Sequence, residues 1–281
     1  MGATTTLLFY LLVGAAYDYC SGSALGSRGS PARQSLPPPK ATTTDILLFG
    51  GWAASPPYGA AFDEIHRFDP STGRLSRLPF NLVEGRLSHD AARRPDGSIV
   101  AVGGTRFDFG TPSGDPVLNS TEIISDGAAV AGPTLLTQRL GPAVAAVGGD
   151  VYACGGAFNN SNSSVLNTCE VLEEGASRWR LLANRLPEAV ALAAAASVGR
   201  HLYVAGGLRT EEFTNRVWRL DTSQQGGSGW LEVAPMASAR AGHRAVTLEV
   251  NGRPYVVVCG KDLRSPPQYI GCERYDVARG W

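Results

Sequence analysis

Cys154 and Cys259 each stand immediately before a glycine, and Cys169 and Cys272 each stand immediately before a glutamate. Thiols that recur in the same two contexts describe two equivalent pairs, Cys154 with Cys169 and Cys259 with Cys272. The chemistry open to such pairs is oxidation to disulfides; the competing reading is free thiols packed in a core, where cysteine is common. Cys20 has no counterpart. His89 and His243 also share a position, three residues after Arg86 and Arg240, and a histidine that recurs in this way reads as a satisfied structural group. The sequence has no Gly-x-Ser-x-Gly nucleophile elbow, no Gly-Lys-Ser/Thr phosphate loop and no His-Glu-x-x-His. The expectation is a chain with no catalytic residues, no metal and no cofactor.

These positions recur because the chain recurs. Residues 45–51 read DILLFGG, 98–104 SIVAVGG, 150–156 DVYACGG, 201–207 HLYVAGG and 254–261 PYVVVCGK. Their first glycines, Gly50, Gly103, Gly155, Gly206 and Gly260, are separated by 53, 52, 51 and 54 residues. A fixed period near fifty residues is the signature of a repeat architecture. Within each period a first strand precedes the glycine strand, joined by a tight turn such as Arg94-Pro95-Asp96-Gly97 or Asn251-Gly252. A long variable loop follows, then a third strand with an apolar column, Phe68, Ile124, Leu172, Leu220 and Tyr275, ahead of a mostly acidic one, Asp69, Ser125, Glu173, Asp221 and Asp276. A fourth strand begins near Trp179 or Trp230 and ends in pairs such as Leu78-Pro79 and Leu186-Pro187. Proline there marks an outer edge, where no ladder donor is lost.

The glycine pair, the strand ending in an acid, the tryptophan, the proline and the Arg-x-x-His restart together resemble kelch repeats over residues 45–281. The resemblance implies an all-β fold, a kelch-type β-propeller of four-stranded antiparallel blades. Five repeats are visible, the first without an obvious first strand and the last stopping at Trp281, where its fourth strand begins. Kelch rings of six or seven blades are implied, so the count favours a fragment of such a ring over five blades closed by strands from both ends.

In a blade, the glycine strand and the third strand are neighbours about 5 Å apart, within disulfide reach. Cys154–Cys169 and Cys259–Cys272 are therefore expected as two disulfides within blades, which need an oxidising compartment. Three Asn-x-Ser/Thr sequons, at Asn119, Asn159 and Asn162, fall in the loops after the glycine strands and are candidate glycosylation sites. Residues 1–16 hold an apolar run before small residues, resembling a secretory signal, and residues 17–44 form a Gly/Ser/Thr/Pro-rich leader. These features agree on an extracellular, secreted protein, with the cytoplasm as the alternative.

The 25 basic and 25 acidic side chains cancel, giving no electrostatic reason for a nucleic-acid partner, and no later run reaches the length of a membrane span. The expected function is a non-catalytic binding module for a protein, or a glycan, through its long and dissimilar loops. In proteins similar to this one the arginine opening the first strand can face the central channel and contact acidic peptides. The matching positions are Arg86, Arg139 and Arg240, with Val190 interrupting the series; the competing reading pairs them internally with Glu122, Glu170 and Glu273. The alternative function is a secreted propeller enzyme, of the galactose oxidase-like or sugar-acid epimerase type. The copper site of the former needs two histidines and two tyrosines, one cross-linked to cysteine.

Overall fold

Among the described residues, the alternation of short apolar strands with glycine turns folds into eighteen strands in five sheets. A computed structural model describes residues 46–51, 61–106, 116–159, 164–223, 229–261, 270–277 and 279–281. The expected signal, the leader, Cys20 and Asn162 lie outside these residues.

Blade 1 contains β1 (Ile46–Phe49), β2 (Glu64–Asp69) and β3 (Arg74–Asn81). Blade 2 contains β4 (Asp90–Arg93), β5 (Ile99–Val102), β6 (Thr121–Ser125) and β7 (Ala128–Ala131). Blade 3 contains β8 (Ala143–Val147), β9 (Asp150–Cys154), β10 (Cys169–Leu172) and β11 (Arg180–Leu181). Blade 4 contains β12 (Ala194–Val198), β13 (His201–Ala205), β14 (Val217–Asp221) and β15 (Leu231–Val233). Blade 5 contains β16 (Arg244–Val250), β17 (Arg253–Lys261) and β18 (Ile270–Asp276). Each sheet runs in chain order with antiparallel neighbours. Among the described residues, blade 1 has no inner strand and blade 5 has no outer one, as the repeat count anticipates.

The turns follow their sequences. Asn251 and Gly252 both take positive φ, 52° and 72°, the mirror-image turn that matches strand twist. Asp126 and Gly127 do the same between β6 and β7 (47° and 80°).

Apolar side chains fill the joints between blades. Ala143, Ala145, Tyr152 and Val171 of blade 3 meet Ala195, Leu202, Val204, Trp218 and Leu220 of blade 4. Val100, Val102 and Ala92 of blade 2 share a cluster with Val151, Ala153 and Trp179 of blade 3. Small residues on the inner strands, Ala143, Ala145, Ala194 and Ala196, let the blades converge toward the axis. The indole N–H groups tie the rim: Trp179 donates to Pro133 O at 2.9 Å, Trp230 to Asn184 O at 3.3 Å and Trp281 to Ala234 O at 2.7 Å. Each bond crosses from one blade to its predecessor.

The glycine pair closes the other end of each joint. Gly156 N donates to Val190 O of the next blade at 2.8 Å, and Gly51, Gly104 and Gly207 donate to Arg86, Arg139 and Arg240 in the same way. A Cβ on Gly155 would lie 2.3 Å from that Val190 carbonyl oxygen. The pair is therefore a close-approach device between blades. Nearer the axis, Gly242 N donates to Leu192 O, Leu192 N to Gly141 O and Gly141 N to Ser88 O, each at 2.8 Å. All four residues are left-handed, with φ between 51° and 67°.

Candidate functional site

Two kinds of connection open on one face of the propeller. The loops after the glycine strands lie against the links that carry each outer strand to the next inner one: Leu135 N donates to Asn119 O, and Arg139 N to Leu118 O. Isolated bridges extend this arrangement outward, Leu87 to Thr105 to Val117, Leu140 to Ala157 to Val165 and Ala191 to Leu208 to Phe213. A small apolar floor of Leu140, Ala157, Ala191, Leu192 and Leu208 supports them.

The arginines proposed from the resemblance begin beneath this face but do not reach solvent. Arg139 is fully buried, and its guanidinium donates to Gly155 O (2.7 Å), Thr168 O (2.9 Å), Thr168 Oγ1 (3.0 Å) and Glu170 Oε1 (3.0 Å). The Glu170 carboxylate, also fully buried, accepts from Leu136 N at 2.7 Å and Thr137 N at 3.1 Å. Arg86 repeats the pattern with Gly103 O and Glu122, whose oxygens accept from Val83 N and Glu84 N. Arg240 repeats it with Gly260 O, Gly271 O and Glu273, which accepts from Ala237 N and Ser238 N. The choice between ligand contact and internal pairing thus falls to internal pairing. Each arginine locks the inner end of its blade to the third strand and to the link before it. Burial pushes the Arg139 guanidinium down from its ordinary value, and the Glu170 charge opposes that shift.

Blade 4 lacks the lock, and the loss is concerted. Val190 stands for the arginine, Trp218 for the glutamate, and Pro187, which has no N–H, for the first backbone donor. Trp218 is fully buried in the joint with blade 3. A valine and an indole replace the buried ion pair, and the first backbone donor is missing as well, while Trp218 Nε1 is buried without a partner.

At the channel, His89 and His243 are buried and held neutral. Burial pushes each down to about 3, with Arg86 and Arg240 respectively as the next cause. The rings pack on glycines: a Cβ on Gly50 would lie 2.5 Å from His89 Cε1, and one on Gly206 would lie 2.8 Å from His243 Cε1. They are spacers at the joints. Asp90 accepts from Val144 N across the blade 2–blade 3 joint at 2.9 Å, and burial pushes its carboxyl up. Among the described residues no cluster of three or more His, Cys, Asp and Glu could hold a metal ion, and no helix is long and apolar enough to cross a membrane.

The thiol pairs come together. Cys154 faces Cys169 and Cys259 faces Cys272 across adjacent strands, at disulfide distance with Cα separations of 4.1 and 4.2 Å. Their surroundings differ. Cys154 and Cys169 are buried in the joint with blade 4, whereas Cys272 is exposed. Asn119 and Asn159 are both exposed.

The face itself offers apolar side chains to solvent. Phe62, Val83, Leu136 and Phe158 are 42%, 63%, 63% and 43% exposed. They lie on chain segments that hydrogen bonds draw together. The chain at Phe62 is bonded to the 82–86 link through Arg86 N to Phe62 O, and Gln138 Nε2 donates to Phe158 O beside Leu136. Charged pairs flank them: Arg106 with Glu84 at 3.3 Å, and Arg209 and Arg216 with Glu188 at 3.2 and 2.7 Å. Val83 and Leu136 were not among the residues singled out from the sequence. The signal was their shared place three residues before the locking arginine, where an exposed apolar side chain recurs. Of the loop aromatics, Phe213 is half-buried in the floor, and Trp52, Tyr58, Phe107, Phe109 and Tyr269 lie outside the described residues.

Residues 138–185 and 189–236 match the kelch motif, one repeat each from blades 3 and 4. The chain is a β-propeller with kelch motifs in blades 3 and 4. No curated protein matches the chain in sequence. A solved structure described as "Structure of YjhT" superposes with a TM-score of 0.62 at 13% identity, covering 82% of this chain and 81% of that one. At that identity the likeness concerns the fold alone.

Proposed function

We propose that this kelch propeller is a non-catalytic binding module whose loop face takes a protein partner. The four exposed apolar side chains Phe62, Val83, Leu136 and Phe158 carry this reading. Exposed aromatic and aliphatic side chains accompanied by ion pairs fit the anatomy of an interface core with a polar rim. Surface of this kind on a scaffold otherwise rigidified by buried locks supports recognition more than chemistry. The test is capture from extracellular fluid on the immobilised full chain, compared with a Leu136→Asp/Phe158→Asp variant. Proteins held by the wild type and lost by the variant are the expected result. An unchanged set counts against the loop face. Incubation with alcohols and hexoses under a peroxide readout addresses the enzyme reading, and turnover there would replace the binding assignment.

The same reading places the chain outside the cell. Two cysteine pairs at bonding distance and the exposed sequon at Asn119 support it. A glycosidase-sensitive mass shift that disappears in Asn119→Gln is expected when the protein is recovered from the medium of secreting cells. Recovery only from the cytosol, with free thiols, would refute it.

A further inference from the structure

The outer strand of a blade leaves one row of main-chain groups unpaired, and proteins guard such edges with charge, proline or brevity. Of the four outer strands among the described residues, three are guarded in this way. β3 carries Arg74, Arg77 and Pro79, β11 is only Arg180 and Leu181, and β15 holds Glu232. β7 is the exception: Ala128-Ala129-Val130-Ala131 has no charge and no proline. It closes a complete blade in the order β4-β5-β6-β7, with no strand beyond it among the described residues. Ala128, Val130 and Ala131 are exposed, Val130 by 52%.

The ladder fixes which groups are free. Ser125 and Ala128 flank the two-residue Asp126-Gly127 turn and so exchange main-chain bonds. Gly132 N donates to Thr121 O at 2.8 Å, and the Ile123–Val130 pair between them falls in the same phase. Antiparallel pairs alternate, so the N–H and C=O groups of Ala129 and Ala131 point away from β6. That pattern fits an identical strand running the opposite way. Ala129 meets Ala131 of the other copy, Ala131 meets its Ala129, and Val130 meets its twin. The central pair is the kind without hydrogen bonds, whose side chains lie close together, so the two exposed valines pack on one side of the joined sheet. Pro133, which has no N–H, and the Asp126-Gly127 turn stop the ladder at its ends.

We propose that two copies of the chain pair through β7 about a twofold axis, joining blade 2 of each into one continuous sheet. Such a contact is isologous, so it closes at two chains. No charge on either strand opposes it. Its short length keeps the buried area small, so the dimer dissociates on dilution.

Sedimentation velocity on the full chain over a concentration series tests the pairing. Val130→Lys sets two cations against each other, and Ala131→Pro removes an outward N–H that its own blade does not use. Val130→Cys tests the register: its two copies would lie about 4.5 Å apart between Cα atoms, within disulfide reach, whereas Ala128→Cys would face Gly132. Wild type is the baseline for the cysteines already present, and retention of the Cys154–Cys169 pair checks the fold.

The wild type is expected to pass from monomer to dimer with concentration and no further, and both edge variants to stay monomeric. Oxidised Val130→Cys should run as a covalent dimer, with Ala128→Cys no different from wild type. A wild type that is monomeric throughout overturns the proposal, and an edge reserved for an extended segment of another protein would give that result. Dimers that survive Val130→Lys overturn it as well, because the contact then lies elsewhere. So does equal cross-linking of Val130→Cys and Ala128→Cys, which contradicts the register.

Discussion

Replacing Arg139 by valine should destabilise the propeller more than any single surface change, and two further substitutions should recover most of the loss. In the wild type the Glu170 carboxylate is fully buried and meets the Arg139 guanidinium at 3.0 Å, plus two backbone N–H groups. Arg139→Val leaves that charge without its cation, and it strips Gly155 O and Thr168 O of their donors. Breaking a buried pair by removing one partner costs about 3–5 kcal/mol, a large share of the roughly 5–15 kcal/mol that stabilises a typical domain. Blade 4 shows the alternative solution, with Pro187, Val190 and Trp218 at the equivalent positions. The triple variant Leu136→Pro/Arg139→Val/Glu170→Trp should come within about 1–3 kcal/mol of wild type, the remainder reflecting imperfect packing of a transplanted indole. Urea unfolding followed by tryptophan fluorescence under non-reducing conditions measures all three chains. The reasoning fails if Arg139→Val costs less than about 1 kcal/mol, the level of an exposed ion pair. It also fails if the triple variant is no more stable than the single one.

Three other outcomes are expected. Mild reductant followed by alkylation and mass spectrometry should label Cys259 and Cys272 well before Cys154 and Cys169, because Cys272 is exposed and Cys259 half-buried whereas the other two are fully buried; simultaneous labelling would contradict this. His89 and His243 are held near 3 against an ordinary 6.5, so the unfolded chain takes up their protons first as acid is added. The neutral-ring contribution is complete above pH 6.5 and declines as pH falls toward 3, by about 1.4 kcal/mol per pH unit for each histidine. His243→Gln should flatten the acid limb of stability against pH, and an unchanged slope would refute the neutral assignment. Finally, Gly155→Ala should cost far more than Gly148→Ala in urea midpoint. Both have φ near 60°, yet only the first places its Cβ against a neighbouring carbonyl, so the second should lose only the roughly 1–2 kcal/mol of a left-handed alanine.

The repeat made most of the fold readable. Phase alone located the glycine strands, the third strands and the two cysteine pairs, because buried strands must return to the same place around the axis in every period. The first strand of the fourth repeat is confined to Ala194–Val198, since Val190 and Leu192 before it donate to Leu166 O and Gly141 O of the neighbouring blade. The outer strand β7 has no tryptophan to announce it, and the Asp126-Gly127 turn places it instead. The fate of the arginines was not readable from their own column. It depended on whether Glu122, Glu170 and Glu273 turned toward them, which is a matter of side-chain direction across a sheet. One clue was present: the repeat without the arginine is also the repeat with tryptophan in the glutamate column. Leu192 gave no such clue, as a left-handed leucine is dictated only by the backbone bonds on either side of it.

Those bonds have a mechanical meaning. The line from Gly242 through Leu192 and Gly141 to Ser88 runs as an arc past the inner ends of four blades. Tension applied along it is carried in series, so every link bears the same load and the weakest one sets the limit. Widening the channel mouth would mean twisting left-handed residues out of their wells, not merely sliding side chains past one another. The axis is therefore the stiff part of the molecule, and compliance is left to the rim. A partner pulling on the outer strands would splay the blades as leaves open from a bound spine.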